Sequence, residues 1–158
     1  MKSGLMKQYD VNAESGMLIR KPVSEVYEAI INPEITTRFW FTKSSGRLDE
    51  HRQVEWTWEM YQVSDTVTVL ALEPGKKIKM QWDNRGAAKT VEWTFTPMDN
   101  DDTFIHVIEY GYKGNPEEIL NQVRDSTGGF CWVLAGLKAW LEHGIELNLV
   151  GDRFPKGL

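Results

Sequence analysis

The sequence is short of several things that would point to a class of protein. It has one cysteine in 158 residues, Cys131, so no intrachain disulfide can form, which suits a reducing compartment. Set beside Trp132 in an apolar stretch, that cysteine reads as a small buried hydrophobe rather than a reactive thiol. The three histidines, His51, His106 and His143, are isolated, without the spacing that lets neighbouring ligands face one metal, so no zinc site is expected. No apolar run approaches the length that crosses a bilayer, and the opening MKSGLMKQYD lacks the apolar core of a secretory signal. Lys and Arg number 18 against 23 Asp and Glu, a formal charge of −5, and the basic residues are scattered. A phosphate-backbone partner needs them clustered, so no nucleic-acid partner is expected. There is no G-x-S-x-G elbow, no phosphate-cradling glycine loop and no Cys–His pairing signal. The expectation is a cytoplasmic protein with no membrane insertion, no cofactor and no metal.

What is present is aromatic and periodic. Seven Trp stand in a chain that is 41% hydrophobic and 26% charged, the composition of an ordinary globular protein. Its length is that of one domain with a proper core, and no repeat or linker divides it. The stretch Asn115 to Gly144 predicts one long helix. Asn115 is its N-cap, Pro116 its first helical residue, Glu118 completes a capping box, and His143-Gly144 ends it. Ile119, Val123, Phe130, Leu134, Leu137 and Leu141 fall on one stripe of that helix, which must be buried against something.

The segments before it supply the partner. Val11 to Arg20 reads as a first strand. Pro22 opens a helix with Val23, Val26, Tyr27 and Ile30 on one face. Asn32-Pro33-Glu34 starts a second short helix, expected to run to Phe39-Trp40-Phe41. Those three aromatics are either a plug for the core or the wall of a pocket. Period-two alternation then takes over. Gln53 to Tyr61 puts Val54, Trp56, Trp58 and Met60 on one face; Thr66 to Glu73 is a β-branched strand closed by the turn at Pro74-Gly75. Ile78, Met80 and Trp82 alternate in the next strand, before a polar loop over Asp83 to Gly86. Val91, Trp93 and Phe95 alternate in the one after, and Thr103 to Tyr112 is the last. Short turns between consecutive strands imply a meandering antiparallel sheet, and a sheet packed on helices is an α+β layer architecture.

The runs KPVSEVYEAIINPEITTRFW, LEPGKKIKMQW, TFIHVIEYGY and GGFCWVLAGLKAWLEHG resemble, in that order, the corresponding pieces of the SRPBCC superfamily. These are the helix-grip proteins, which include birch-pollen-allergen-like and START-like members. Within them the chain is most similar to the branch of homologues of the activator of the ninety-kilodalton heat-shock chaperone ATPase. The likeness covers roughly residues 11 to 144, leaving 145 to 158 as a tail. It implies about seven antiparallel strands wrapped around the long helix, two short helices after the first strand, and a cavity between sheet and helix. The lining positions it implies are Phe39, Trp40, Trp56, Trp58, Trp82, Trp93, Phe95, Phe130 and Leu134. Whether those rings enclose a space or fill it is open at this level.

In the last strand, one face carries Ile105, Val107 and Glu109 and the other Phe104, His106, Ile108, Tyr110 and Tyr112. If the Ile105 face points inward, as the resemblance implies, Glu109 enters an apolar cavity where desolvation favours a neutral carboxyl. It would then anchor a ligand or act as a general acid. With the other face inward, His106 and Tyr110 take that place. Gly128-Gly129 in mid-helix costs about 1 kcal/mol per residue relative to Ala, and a close backbone approach or a bend is the expected reason. Three functions follow: a module binding a small apolar or aromatic molecule, a cofactor-free cyclase or hydratase, and a chaperone-interaction domain, the last by analogy with the branch name. Trp132 and Trp140, off the main stripe, mark a candidate homodimer contact or a packing against the sheet edge. The tail, with Ile145, Leu147 and Leu149 alternating, would extend the helix, pack beside it or meet a second subunit.

Overall fold

The computed structural model describes residues 11–83 and 87–157. Strand β1 (Asn12–Ile19) is followed by α1 (Val23–Ile31) and the one-turn α2 (Pro33–Thr36). Then come β2 (Lys43–Ser44), β3 (Gln53–Trp58), β4 (Val63–Glu73), β5 (Lys77–Trp82), β6 (Lys89–Pro97) and β7 (Thr103–Tyr110). The long α3 (Pro116–His143) and the short α4 (Leu149–Asp152) close the chain. The strands form one antiparallel sheet in the order β1-β7-β6-β5-β4-β3-β2. This is the expected α+β helix-grip architecture: β2 to β7 are a meander, and β1 pairs with β7 to complete it. Of the polar loop expected over 83–86, residues 84–86 lie outside the described residues.

The sheet follows from parity. Ile78, Met80 and Trp82 of β5, Val91, Trp93 and Phe95 of β6, and Ile105, Val107 and Glu109 of β7 are all buried. Antiparallel register sets them in rows, with Ile78 opposite Trp93, Trp93 opposite Val107, and Val91 opposite Glu109. Helix α3 lies against this face as its caps and stripe predict. The Asn115 side chain accepts from the Glu118 N–H, the Glu118 side chain accepts from the Asn115 N–H, and Gly144 at φ 65° ends the helix. Phe130, Leu134 and Leu137 of the stripe are buried, with Val133 beside them, while Ile119, Val123 and Leu141 are half-buried.

Several local expectations are corrected, each for a physical reason. Strand β3 ends at Trp58 rather than Tyr61, because Glu59–Tyr61 wind into a 3-10 turn and Gln62, at φ 52°, reverses the chain so that Val63 pairs with Trp58. Met60 therefore leaves the inner face and is exposed. Helix α2 stops at Thr36, short of the aromatics. Phe39, Trp40 and Phe41 follow in a turn, where three consecutive rings can all point inward; on a helix they would splay by about 100° each. Strand β7 ends at Tyr110, because Gly111 takes φ 100° and breaks the alternation. Tyr112, expected on the same face as Tyr110, is thereby turned to the opposite side and is fully buried. Cys131 is exposed rather than buried, one residue off the stripe, with its sulfur 3.3 Å from Ser15 Oγ.

The glycine expectation moves along the helix. A Cβ on Gly128 or Gly129 would meet nothing within 4 Å, so no backbone approach explains the pair. The close approach is at Gly136, where a Cβ would stand 3.0 Å from Phe39 Cβ and 3.3 Å from Phe39 O. Two substitutions of the same kind should therefore differ in sign. Gly128→Ala is expected to stabilise by about 0.5–1 kcal/mol through helix propensity, and Gly136→Ala to destabilise by about 1–3 kcal/mol through overpacking. Paired urea denaturation curves check this.

The C-terminal end of α3 is clamped to β1. Lys138 Nζ donates to Leu18 O at 2.7 Å and to Glu142 Oε2 at 2.6 Å, and the Arg20 N–H donates to the same Glu142 oxygen at 3.1 Å. Burial opposes ionisation of Glu142, but Lys138, the Arg20 N–H and the Arg20 charge outweigh it and hold the carboxyl below its ordinary value of 4.5. A depressed folded-state value means that this stability is fully present above the unfolded value and is lost as pH falls through the folded one. Glu142→Gln is thus expected to lower Tm near neutral pH, with the gap to wild type closing below about pH 4 in a calorimetric series.

The tail neither extends α3 nor points away. After Gly144 it turns at Asn148, φ 53°, and folds back as α4, so that Val150 packs on the core. The Tyr61 hydroxyl donates to Val150 O and lies 3.2 Å from Gly151 O, and the Tyr61 and Phe154 rings meet edge to face at 6.0 Å.

Candidate functional site

Inside the grip, the aromatic residues form one cluster centred on Trp40. Its ring centroid lies 4.9 Å from Trp56, 5.6 Å from Trp93, 5.8 Å from Trp82 and 6.4 Å from Phe130, mostly edge to face. Phe41 stacks on Trp56 at 4.4 Å. Beside this cluster is a cavity of about 250 Å³. Trp40, Trp82, Phe130 and Val133 form its apolar walls, and Asp125, Ser126, Gly129 and Trp132 bring more of α3 to it. Tyr61 and the tail residues Val150, Arg153 and Phe154 form the remaining side.

The ten residues singled out in the sequence divide accordingly. Trp40, Trp82 and Phe130 reach the cavity wall. Phe39, Trp56, Trp58, Trp93, Phe95 and Leu134 do not; they pack in or against the core around Trp40. Those six side chains fill the space rather than bound it; for Trp56, Trp58, Trp93 and Phe95 the reason is that inward positions on one sheet face share burial whether or not they meet a void. Glu109 stands one layer behind the wall, bonded to two residues that form it.

Glu109 is 1% exposed and sits in a ring of donors. Trp82 Nε1–H donates to Oε2 at 2.7 Å, while the Tyr112 hydroxyl at 2.8 Å and the Ser126 hydroxyl at 2.5 Å donate to Oε1. All three partners can donate, so both oxygens of Glu109 are engaged as acceptors. Burial, and then the charge of Glu109, push the Tyr112 hydroxyl well above the usual tyrosine range, so it stays a donor. His106 and Tyr110 face outward. His106 Nε2 pairs with Glu14 Oε2 at 3.2 Å on the opposite side of the sheet from the cavity.

Several residues of the site were not singled out in the sequence. Ser126 is one polar member of the α3 stripe, three residues after Val123 and four before Phe130, and that interruption was the available signal. Tyr112 is placed by the turn at Gly111, and the tail wall had no local signal. Asp65 and Lys89 are buried at the neighbouring ends of β4 and β6. Burial pushes the Asp65 carboxyl up, and its Oδ2 and the Trp93 Nε1 are buried without a hydrogen-bond partner. The Lys89 ammonium lies 5.7 Å from the Tyr112 ring centroid. Trp132 stands at the cavity mouth, 42% exposed, and Trp140 carries the Arg38 guanidinium 5.1 Å from its ring centroid. Among the described residues no cluster of His, Cys, Asp and Glu could hold a metal ion, and no helix is long and apolar enough to cross a membrane.

Comparison with known proteins places this architecture. Among solved structures, the protein SSP2350 from Staphylococcus saprophyticus shares 23% identity, with a TM-score of 0.72 over 86% of this chain and 95% of that one. The Aha1 dimer from Colwellia psychrerythraea shares 16% identity, with a TM-score of 0.69 over 85% of this chain and 98% of that one. The di-domain ARO/CYC BexL from the BE-7585A biosynthetic pathway shares 15% identity, with a TM-score of 0.72 over 83% of this chain and 46% of that one. At these identities the likeness shows the fold. No curated protein matches by sequence. The family of Activator of Hsp90 ATPase homolog 1-like proteins matches residues 20–142, spanning strands β2 to β7, both short helices and nearly all of α3, and the chain belongs to that family.

Proposed function

We propose that this protein is a binding module for a small apolar or aromatic molecule, held between the sheet and α3. The observation that carries the reading is the cavity itself, about 250 Å³ with Trp40, Trp82 and Phe130 as walls. An apolar cavity of about 150 Å³ takes up benzene, so this one suits a ligand of about two fused rings. Burial of such a ligand contributes roughly 25 cal/mol per Å² of apolar area, with edge and face contacts to the rings adding selectivity. The cyclase or hydratase reading is less well supported, because Glu109 lies behind the wall with its oxygens already bonded.

Gly129→Leu provides the test. Gly129 lines the cavity and has open space at its Cβ, so the new side chain occupies the ligand volume while helix propensity rises by about 1 kcal/mol. A two-ring aromatic titrated against Trp fluorescence is expected to saturate in the wild type and to lose binding in a variant whose Tm is maintained or raised. Equal affinity in both proteins would contradict the reading.

Self-association is a second reading. Trp132 and Phe154 expose apolar surface at the cavity mouth, and the Colwellia relative is described as a dimer. The chaperone partner rests on the family name alone.

A further inference from the structure

We propose that the cavity selects ligands that carry a hydrogen-bond donor, of the phenol or aryl-amine class, at its Ser126 end. This rests on the binding reading above and specifies its ligand. Ser126 lines the cavity, and its Oγ stands 2.5 Å from Glu109 Oε1. A tryptophan N–H can only donate, so the 2.7 Å contact from Trp82 Nε1 fixes Glu109 Oε2 as an acceptor. The other oxygen takes the Tyr112 hydroxyl at 2.8 Å. A buried carboxylate surrounded in this way directs the Ser126 hydrogen toward itself. A serine hydroxyl has one hydrogen and two lone pairs; the neighbouring Tyr112 hydroxyl, also within bonding reach of Ser126, takes at most one of them, so what remains for the cavity is acceptor capacity.

Two other lining groups are committed in the same sense. Trp82 gives its N–H to Glu109 and offers the ligand its ring. The Tyr61 hydroxyl gives its hydrogen to the tail carbonyls of Val150 and Gly151. Asp125, next to Ser126, adds a carboxylate and disfavours an anionic group at this end. The cation of the wall, Arg153, is exposed and lies over the Phe154 ring, 4.3 Å from its centroid. A ligand oxygen without a hydrogen would therefore meet lone pairs beside Ser126, while a hydroxyl or amine would donate to them.

The test is a calorimetric titration of the wild-type protein with 2-naphthol and with 2-fluoronaphthalene, which are close in size but differ in the donor. The phenol is expected to bind about three- to tenfold more tightly, the worth of one neutral hydrogen bond. In Ser126→Ala the ratio is expected to fall to near unity. Equal binding of the two probes by the wild type, or a preference that survives Ser126→Ala, would overturn this inference and leave the cavity reading standing. Binding of neither probe would overturn both.

Discussion

Trp40→Ala is expected to destabilise the protein by about 3–5 kcal/mol. Trp40 is 6% exposed and its ring contacts those of Phe41, Trp56, Trp58, Trp82, Trp93 and Phe130, so no single neighbour can close the hole. The removed ring lies between the core and the cavity, so the void would open into the cavity rather than collapse. A domain of this size has about 5–15 kcal/mol to lose, so the variant approaches the limit of folding. Guanidinium denaturation followed by far-UV circular dichroism measures the loss. A cost below about 1 kcal/mol would mean that the aromatic cluster is not the packed centre described here.

Glu109→Leu should cost somewhat less, at about 2–4 kcal/mol, for an electrostatic reason. The substitution roughly keeps the side-chain volume but removes the acceptor toward which the Trp82 N–H and the Tyr112 hydroxyl both point. Ser126 loses less, because it reaches the cavity. The mechanism is separable from simple repacking by a double-mutant cycle. Tyr112→Phe removes one of the donors that point at Glu109, so Glu109→Leu combined with Tyr112→Phe should be less harmful than the sum of the two by at least about 1 kcal/mol. Additive effects would show that the bonds around Glu109 contribute little to folding.

These two residues also mark how far the sequence could be read. The inward parity of Trp82 and Trp93 was legible, because strand alternation is local and the turns that bound each strand are explicit, whereas alternation left both faces of β7 open and the inward place of Glu109 came from the resemblance. The caps of α3 were legible for the same reason, and the resemblance set the order of elements around them. Trp40 could be named but not placed, because a helix was expected to continue through a segment that becomes a turn. The partners of Glu109 were less accessible. Tyr112 keeps the outward parity of Tyr110 until Gly111 adopts positive φ, and Ser126 becomes meaningful only when α3 is laid across β7. The division between rings that bound the cavity and rings that fill the core is a matter of distances across three layers. So is the tail, whose contact with Tyr61 spans β4 to β7 and all of α3 in sequence. Gly136, not the more conspicuous Gly128-Gly129 pair, is where the backbone of α3 needs room, since Phe39 reaches it from a turn far away in the chain.

The most direct test of the central claim, that the space beside Trp40 is a binding cavity, is native mass spectrometry of gently purified protein, before and after addition of a two-ring aromatic. The account predicts a discrete added mass, either carried through purification or acquired from the probe, that is lost on denaturation and absent in Gly129→Leu. A bare mass under every condition, with the probe in excess, would contradict it.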